Sequence, residues 1–189
     1  MRADAARRRE SIIAHAKRIF TERGGDVPLE AVAAASGVGI ATLYRNFPSR
    51  QDLVGAVVDD IMRQILETVA AARGVAGQDP ARAWTDLLAG LVELQLGALM
   101  DSLGVQARNA PDGASKLASV QQPALDALDE LLAALRRSET IRRNITALEL
   151  IVAVATITRP QAAPIREAAP GVQNHLVDAY LHWSRSEER

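Results

Sequence analysis

The 189-residue chain contains no cysteine. That excludes disulfide cross-links, cysteine nucleophiles and thiolate metal sites, and it suits a reducing compartment. Aromatic residues are scarce at 3%, so a core has to be built mainly from Ala, Leu, Val and Ile. No run of about 18 apolar residues occurs, and the charged start MRADAARRRES is not followed by an apolar signal-type segment. A chain that is neither secreted nor membrane-spanning, working in the cytoplasm, is the expectation. Enzymatic signatures are missing too: Gly37-Val38-Gly39 lacks the third glycine and the preceding strand of a dinucleotide fingerprint, and neither a Walker A lysine motif nor HExxH occurs. His15 has no partner ligand at a metal spacing, and His175 and His182, seven apart, suit a polar helix face better than a metal site. The sequence therefore predicts no enzyme, no cofactor and no metal.

What is present is ordinary globular material, 48% hydrophobic and 24% charged, in a length that suits one or two domains. The charge is unevenly spread. Residues 1–50 hold 9 Lys/Arg against 5 Asp/Glu, a balance of +4, whereas residues 51–189 hold 13 against 18, a balance of −5. For a nucleic-acid partner the local footprint matters more than the overall pI. Arg2, Arg7, Arg8 and Arg9 form the densest positive cluster, read as lying just ahead of the first helix. They are either a solvated terminus or an arm that touches phosphates or the minor groove.

The stretch 29–47, LEAVAAASGVGIATLYRNF, organises the rest. Leu29, Val32 and Ala33 recur at helical spacing, and Gly37 reads as the left-handed residue just past that helix's end. Val38 becomes the apolar plug of a turn, and Gly39 is a tolerable N-cap for a second short helix. Leu43 and Phe47, four apart, must face inward, which projects Ile40, Ala41, Thr42 and Arg45 outward, with Tyr44 and Asn46 toward the flanks. Such a face is either simply solvated or built for a DNA major groove. In the second case Arg45 is placed to fork onto guanine, Thr42 to bond a base edge or phosphate, Ile40 and Ala41 to touch thymine methyls, and Tyr44 to reach a phosphate oxygen.

Residues 48–52 favour the groove. Pro48 stops that helix, and Ser49 with Asp52 forms a capping box that opens a new one. Arg50 then sits in a first helical turn, where a cation opposes the helix dipole unless an anion is its partner; a DNA phosphate is the expected one.

These residues carry a resemblance. The segment from about Arg9 to Val58, above all GVGIATLYRNFPSRQDL, resembles the N-terminal DNA-binding domain of the tetracycline-repressor (TetR) family of bacterial transcription regulators. The resemblance implies base contact from Gly39, Ile40, Ala41, Thr42 and Arg45, and DNA-backbone contact from Tyr44, Asn46 and Arg50. Gly39 stands where many members have serine or threonine, Asn46 where histidine is common, and Arg50 where lysine is usual.

The remaining chain reads as helices. The first, about Ala6 to Arg23, carries Ile12, Ile13, Ala16, Ile19 and Phe20 on one face. A fourth runs from Arg50 to about Ala72, followed by a loop at Gly74–Asp79. A fifth runs from Pro80 to about Ser102, apolar nearly all round, with Gln95 on its apolar face. A buried amide needs partners, so Gln95 either bonds a neighbour or is a polar point in a ligand cavity. Met62, Trp84, Leu88, Leu91 and Met100 are the candidate walls of that cavity, or plain core.

After an irregular segment at Gly104–Gly113 come helices at Ser115–Arg137, with Pro123 inside, and at Ile145–Thr158, then a Pro- and Ala-rich connection and a last helix from about Gly171 to Ser184. The two terminal helices hold more apolar surface than one subunit can hide. Pairing with a second copy through Ile151, Val154, Leu176, Tyr180 and Trp183 would bury it. The expectation is an all-α chain, with a helix-turn-helix DNA-binding domain at 1–50 and a helical effector-binding and dimerisation domain at 51–189. Its function would be a homodimeric transcription regulator, a repressor released from a palindromic double-stranded DNA operator by a small apolar effector. The alternative is a helical ligand-binding or protein-interaction module whose DNA head is vestigial.

Overall fold

The structure, a computed structural model, describes residues 2–100 and 113–185. Among these the regular secondary structure is all helix, with one isolated antiparallel bridge between Ile141 and Arg185. The helices are α1 (Arg2–Arg23), α2 (Leu29–Ala35), α3 (Ile40–Asn46), α4 (Arg50–Ala76), α5 (Pro80–Glu93), a short helical stretch at 96–100, α6 (Gly113–Arg137), α7 (Ala147–Ile157), α8 (Ala163–Ala168) and α9 (Val172–Ser184). Two compact units result: Met1–Met62 with Ala98–Val120, and Arg63–Gly97 with Gln121–Arg189. None of the described helices is long and apolar enough to cross a membrane.

In the first unit α1 packs on α2 and α2 on α3. The expected stripe of α1, Ile12, Ile13, Ala16, Ile19 and Phe20, is buried, as are Val32, Leu43 and Phe47. Each such side chain removed from water contributes about 1.5–3 kcal/mol, which is what holds helices as short as α2 and α3 that would not persist alone.

The second unit is tied by side chains far apart in sequence. α5 packs on α7, and α9 on α7. Trp84, fully buried in α5, donates its indole N–H to Ser184 Oγ at 2.9 Å, and Ser184 in turn donates to the Leu181 carbonyl. Thr146 caps α7 through the Glu149 amide, while Asp129 of α6 accepts the Ala147 amide at 3.0 Å.

Several boundaries differ from the sequence reading. α1 begins at Arg2, about a turn before Ala6, so the whole cluster Arg2, Arg7, Arg8 and Arg9 is helical and none of it forms an arm ahead of the helix. α4 continues through Gly74 to Ala76, shortening the expected loop. The fifth helix does not run to Ser102: α5 stops at Glu93, Leu94 caps it, and Gln95 takes a left-handed φ of 53°. The break has a packing reason. Gly97, just beyond it, lies so close to α7 that its amide donates to the buried Thr158 hydroxyl at 2.8 Å, and an added Cβ would fall 2.1 Å from the Ala155 carbonyl oxygen. α8 forms inside what reads as a Pro- and Ala-rich connection, with Pro164 in its first turn. The irregular segment expected at Gly104–Gly113 lies outside the described residues, except that Gly113 opens α6.

Candidate nucleic-acid interface

The geometry of the site starts with the turn between α2 and α3. Gly37 adopts a φ of +66°, which its missing Cβ permits. Its amide bonds the Ala34 carbonyl at 3.1 Å, and the Val38 amide bonds Ala33 at 3.0 Å. Those two bonds are the Schellman motif, closing the carbonyls that the end of α2 leaves open. Gly39 then caps α3 through its carbonyl, which receives the Thr42 and Leu43 amides, and offers no side chain of its own. On the far side, Ser49 and Asp52 exchange a reciprocal capping box: Ser49 donates its amide and hydroxyl to the Asp52 carboxylate, and the Asp52 amide returns to Ser49 Oγ at 3.1 Å. α3 is thus bracketed by two rigid, locally determined turns.

Anchored by Leu43 and Phe47, α3 turns its other faces outward. Ala41, Tyr44 and Arg45 are exposed, Ile40, Thr42 and Asn46 half-buried. The Arg45 guanidinium folds back on its own helix, donating to the Thr42 hydroxyl at 2.9 Å and the Ala41 carbonyl at 3.2 Å. Both bonds are exposed and individually worth about 1 kcal/mol, so a guanine edge competes for the same donors without rearranging the backbone. Asn46 donates one amide N–H to the Thr42 carbonyl at 2.8 Å. A shallow, open concavity of about 590 Å³ lies against this face, lined by Arg8, Thr42, Arg45 and Asn46 with Gly37, Val38, Gly39 and Ala5. Two guanidiniums, a hydroxyl and an amide facing one opening favour an anionic, hydrogen-bonding occupant.

The N-terminal arginines divide their work. Arg8 joins that concavity, Arg7 pairs with Asp4, and the Arg9 guanidinium sits 4.7 Å over the Phe47 ring, tying α1 to the end of α3. Arg50 differs from expectation. Its fork donates to the carbonyls of Gly25 at 2.8 Å and Val27 at 2.6 Å, so acceptors within the protein offset its unfavourable place at a helix start.

The residues expected to wall a ligand cavity differ in burial. Trp84, Leu88 and Leu91 are fully buried core of the second unit. Met62 is half-buried, and Met100 is 50% exposed. Gln95 is half-buried and donates to the Val92 carbonyl at 3.1 Å, satisfying its amide within its own turn.

Of the residues expected at a subunit interface, Leu176 (48%) and Trp183 (39%) are exposed and Ile151 is half-buried. Val154 is fully buried within its own subunit and belongs to the core instead. The Tyr180 hydroxyl is buried with no partner among the described residues, and burial, with a smaller push from the Glu149 carboxylate, raises its pKa to about 12. The sequence reading passed over Leu148 and Val152 of α7 and Val172 of α9, all exposed. In α7 Leu148 and Val152, four apart, lie opposite the buried face of Ala147, Leu150 and Val154.

A helix-turn-helix with an outward donor-rich second helix defines a DNA-binding protein. Residues 12–57 match the model of bacterial regulatory proteins of the tetR family, and residues 79–182 match that of the SbtR-like transcriptional regulator C-terminal domain. The chain belongs to the TetR family of transcriptional regulators. Among solved structures it is similar to the TetR transcriptional regulator SCO0520 of Streptomyces coelicolor, at 28% identity over 95% of this chain and 99% of that one, with a TM-score of 0.67. A TetR transcription regulatory protein of Mycobacterium vanbaalenii matches at 27% identity over 94% and 97%, TM-score 0.64. LfrR of Mycobacterium smegmatis, solved in complex with proflavine, shares the fold at 21% identity over 93% of each chain, TM-score 0.66. No curated protein matches significantly.

Proposed function

We propose that this regulator is a cytosolic homodimeric repressor that leaves a palindromic operator when a small, largely apolar molecule binds its second unit. The carrying observation is the bracketed α3, which offers Thr42, Arg45 and Asn46 beside Arg8 on one open face, with Tyr44 exposed elsewhere on the same helix. In this reading Ile40, Ala41, Thr42 and Arg45 meet base edges, with the Gly39 backbone close beside them, and Tyr44, Asn46 and Arg8 meet phosphates. The dimer is supported by the exposed apolar row Leu148, Val152, Leu176 and Trp183, carried on α7 and α9, which pack together. Two copies would then present their α3 helices to successive major grooves, about 34–36 Å apart.

Release is a population shift. An effector that favours a subunit arrangement with mismatched α3 spacing lowers operator affinity by its own differential affinity, and moving a 99:1 equilibrium to 1:99 takes about 5.5 kcal/mol. The test is a reporter gene placed behind a promoter that contains the protein's selected DNA site. The reading expects expression to fall when the regulator is present and to recover with an inducer; a rise in expression with the regulator present overturns the repressor assignment.

A further inference from the structure

Arg50 is the first residue of α4, yet both its hydrogen bonds leave that helix. The Gly25 carbonyl lies two residues past the end of α1, beyond Gly24 with its φ of +88°, and the Val27 carbonyl lies one residue before Pro28, the N-cap of α2. One planar fork therefore grips the end of α1's turn and the entry to α2. From that entry the backbone is fixed onward: Pro28 restricts φ, α2 is seven residues long, and the Schellman turn at Gly37 sets where α3 begins. On the other side, the Ser49–Asp52 capping box fixes the backbone from which Arg50 projects. A lysine in the same place has one compact ammonium and cannot span both carbonyls with the same planar geometry.

We infer that Arg50 is a positioning residue, a latch by which the start of α4 sets the α1–α2 turn and through it the pose of α3, rather than a ligand of DNA phosphate. The inference rests on the DNA-binding reading above. It separates charge from shape: what matters at position 50 is a fork with two donors, not a positive charge.

The experiment compares Arg50→Lys, which keeps the charge, with Arg50→Gln, which removes it. Binding of each to a mixed-sequence DNA duplex is measured by fluorescence anisotropy between about 50 and 200 mM salt. Backbone amide exchange is followed in parallel without DNA. The latch predicts that both variants bind roughly five- to twentyfold more weakly, because a loosened α1–α2 turn leaves the binding pose of α3 populated only part of the time, with the slope of log K against log salt unchanged. It also predicts that amides 24–31 exchange about tenfold faster in both variants, while those of α6 and α7 keep the wild-type rate. Wild-type affinity in Arg50→Lys, with a slope shallower by about 0.9 in Arg50→Gln, overturns it in favour of a phosphate contact. Exchange accelerated across every helix also overturns it, since Arg50 would then be a general stabiliser. Failure of the DNA-binding reading is separately visible as no binding by the wild type, and in that case the exchange of amides 24–31 alone decides the latch.

Discussion

Gly97 and Gly74 are both glycines followed by small or apolar residues, and the structure gives their replacement by alanine opposite signs. At Gly97 an added Cβ would meet only backbone: the Ala155 oxygen at 2.1 Å, the Arg159 nitrogen at 2.5 Å and the Thr158 carbonyl carbon at 2.7 Å. Relief requires the chain to withdraw from α7 by about 1.3 Å, which also breaks the 2.8 Å bond from the Gly97 amide to the buried Thr158 hydroxyl. Overpacking of this kind costs about 1–3 kcal/mol, and an unsatisfied buried amide about 1–3 more. The lower entropy of the unfolded alanine chain offsets about 0.4–1 kcal/mol. Gly97→Ala should therefore lose roughly 2–4 kcal/mol, a fall in Tm of about 5–15 °C for a chain of this size. At Gly74, inside α4, nothing lies within 4 Å and φ is not positive, so Gly74→Ala should gain about 0.5–1 kcal/mol. Thermal unfolding followed by circular dichroism reads both. A Gly97→Ala protein melting within about 2 °C of wild type would refute the close approach of Gly97 to α7.

Arg45→Ala should alter which bases are preferred in site selection, at about 1–3 kcal/mol for the affected position, whereas Tyr44→Phe should weaken all sequences to a similar degree; competition binding with single-base variants distinguishes them. Val152→Glu, at a side chain 50% exposed, should give monomers of unchanged helicity in sedimentation velocity, and a dimer of wild-type stability would move the interface away from α7. The Tyr180 hydroxyl, held neutral up to about 12 by burial first and Glu149 second, titrates near 10 once unfolded. Its sign is fixed: stability is constant below pH 10, declines between about 10 and 12 as the unfolded chain alone ionises, and levels beyond. With the residue partly open to solvent the decline is about 1 kcal/mol, and urea unfolding of Tyr180→Phe should lack that component.

Features set by neighbouring residues were legible in the sequence. The Schellman turn at Gly37, the Gly39 cap, the Ser49–Asp52 box and the inward pair Leu43 and Phe47 all follow from residues no more than five apart. The class of the chain was therefore readable from about twenty residues. What escaped depends on partners distant in sequence. Nothing local marks a helix break at Gln95, because the cause is the α7 backbone that Gly97 approaches, 61 residues from Thr158. Arg50 looked like an unpaired cation because its acceptors lie 25 and 23 residues earlier. The arginines at 7–9 suggested a terminal arm, but Asp4 and Arg7 pair one turn apart and Arg9 stacks on Phe47, both of which support continuing α1 to Arg2. In α7, ALELIVAVATI is apolar on every side, so period alone could not say that Val154 faces the core and Val152 faces out. The walls of an effector cavity were the least legible, since core and pocket draw on the same residues.

We propose that α3 reads duplex DNA as part of a symmetric pair. Selection of bound fragments from random duplex DNA, at a stated salt concentration near physiological, tests it most directly. A symmetric pair should select an inverted repeat whose half-sites are spaced by about one helical turn or a multiple of it, and the enrichment should be lost in Arg45→Ala. Recovery of no enriched sequence by a folded, ligand-free protein, or of a single unrepeated motif indifferent to Arg45, would contradict it.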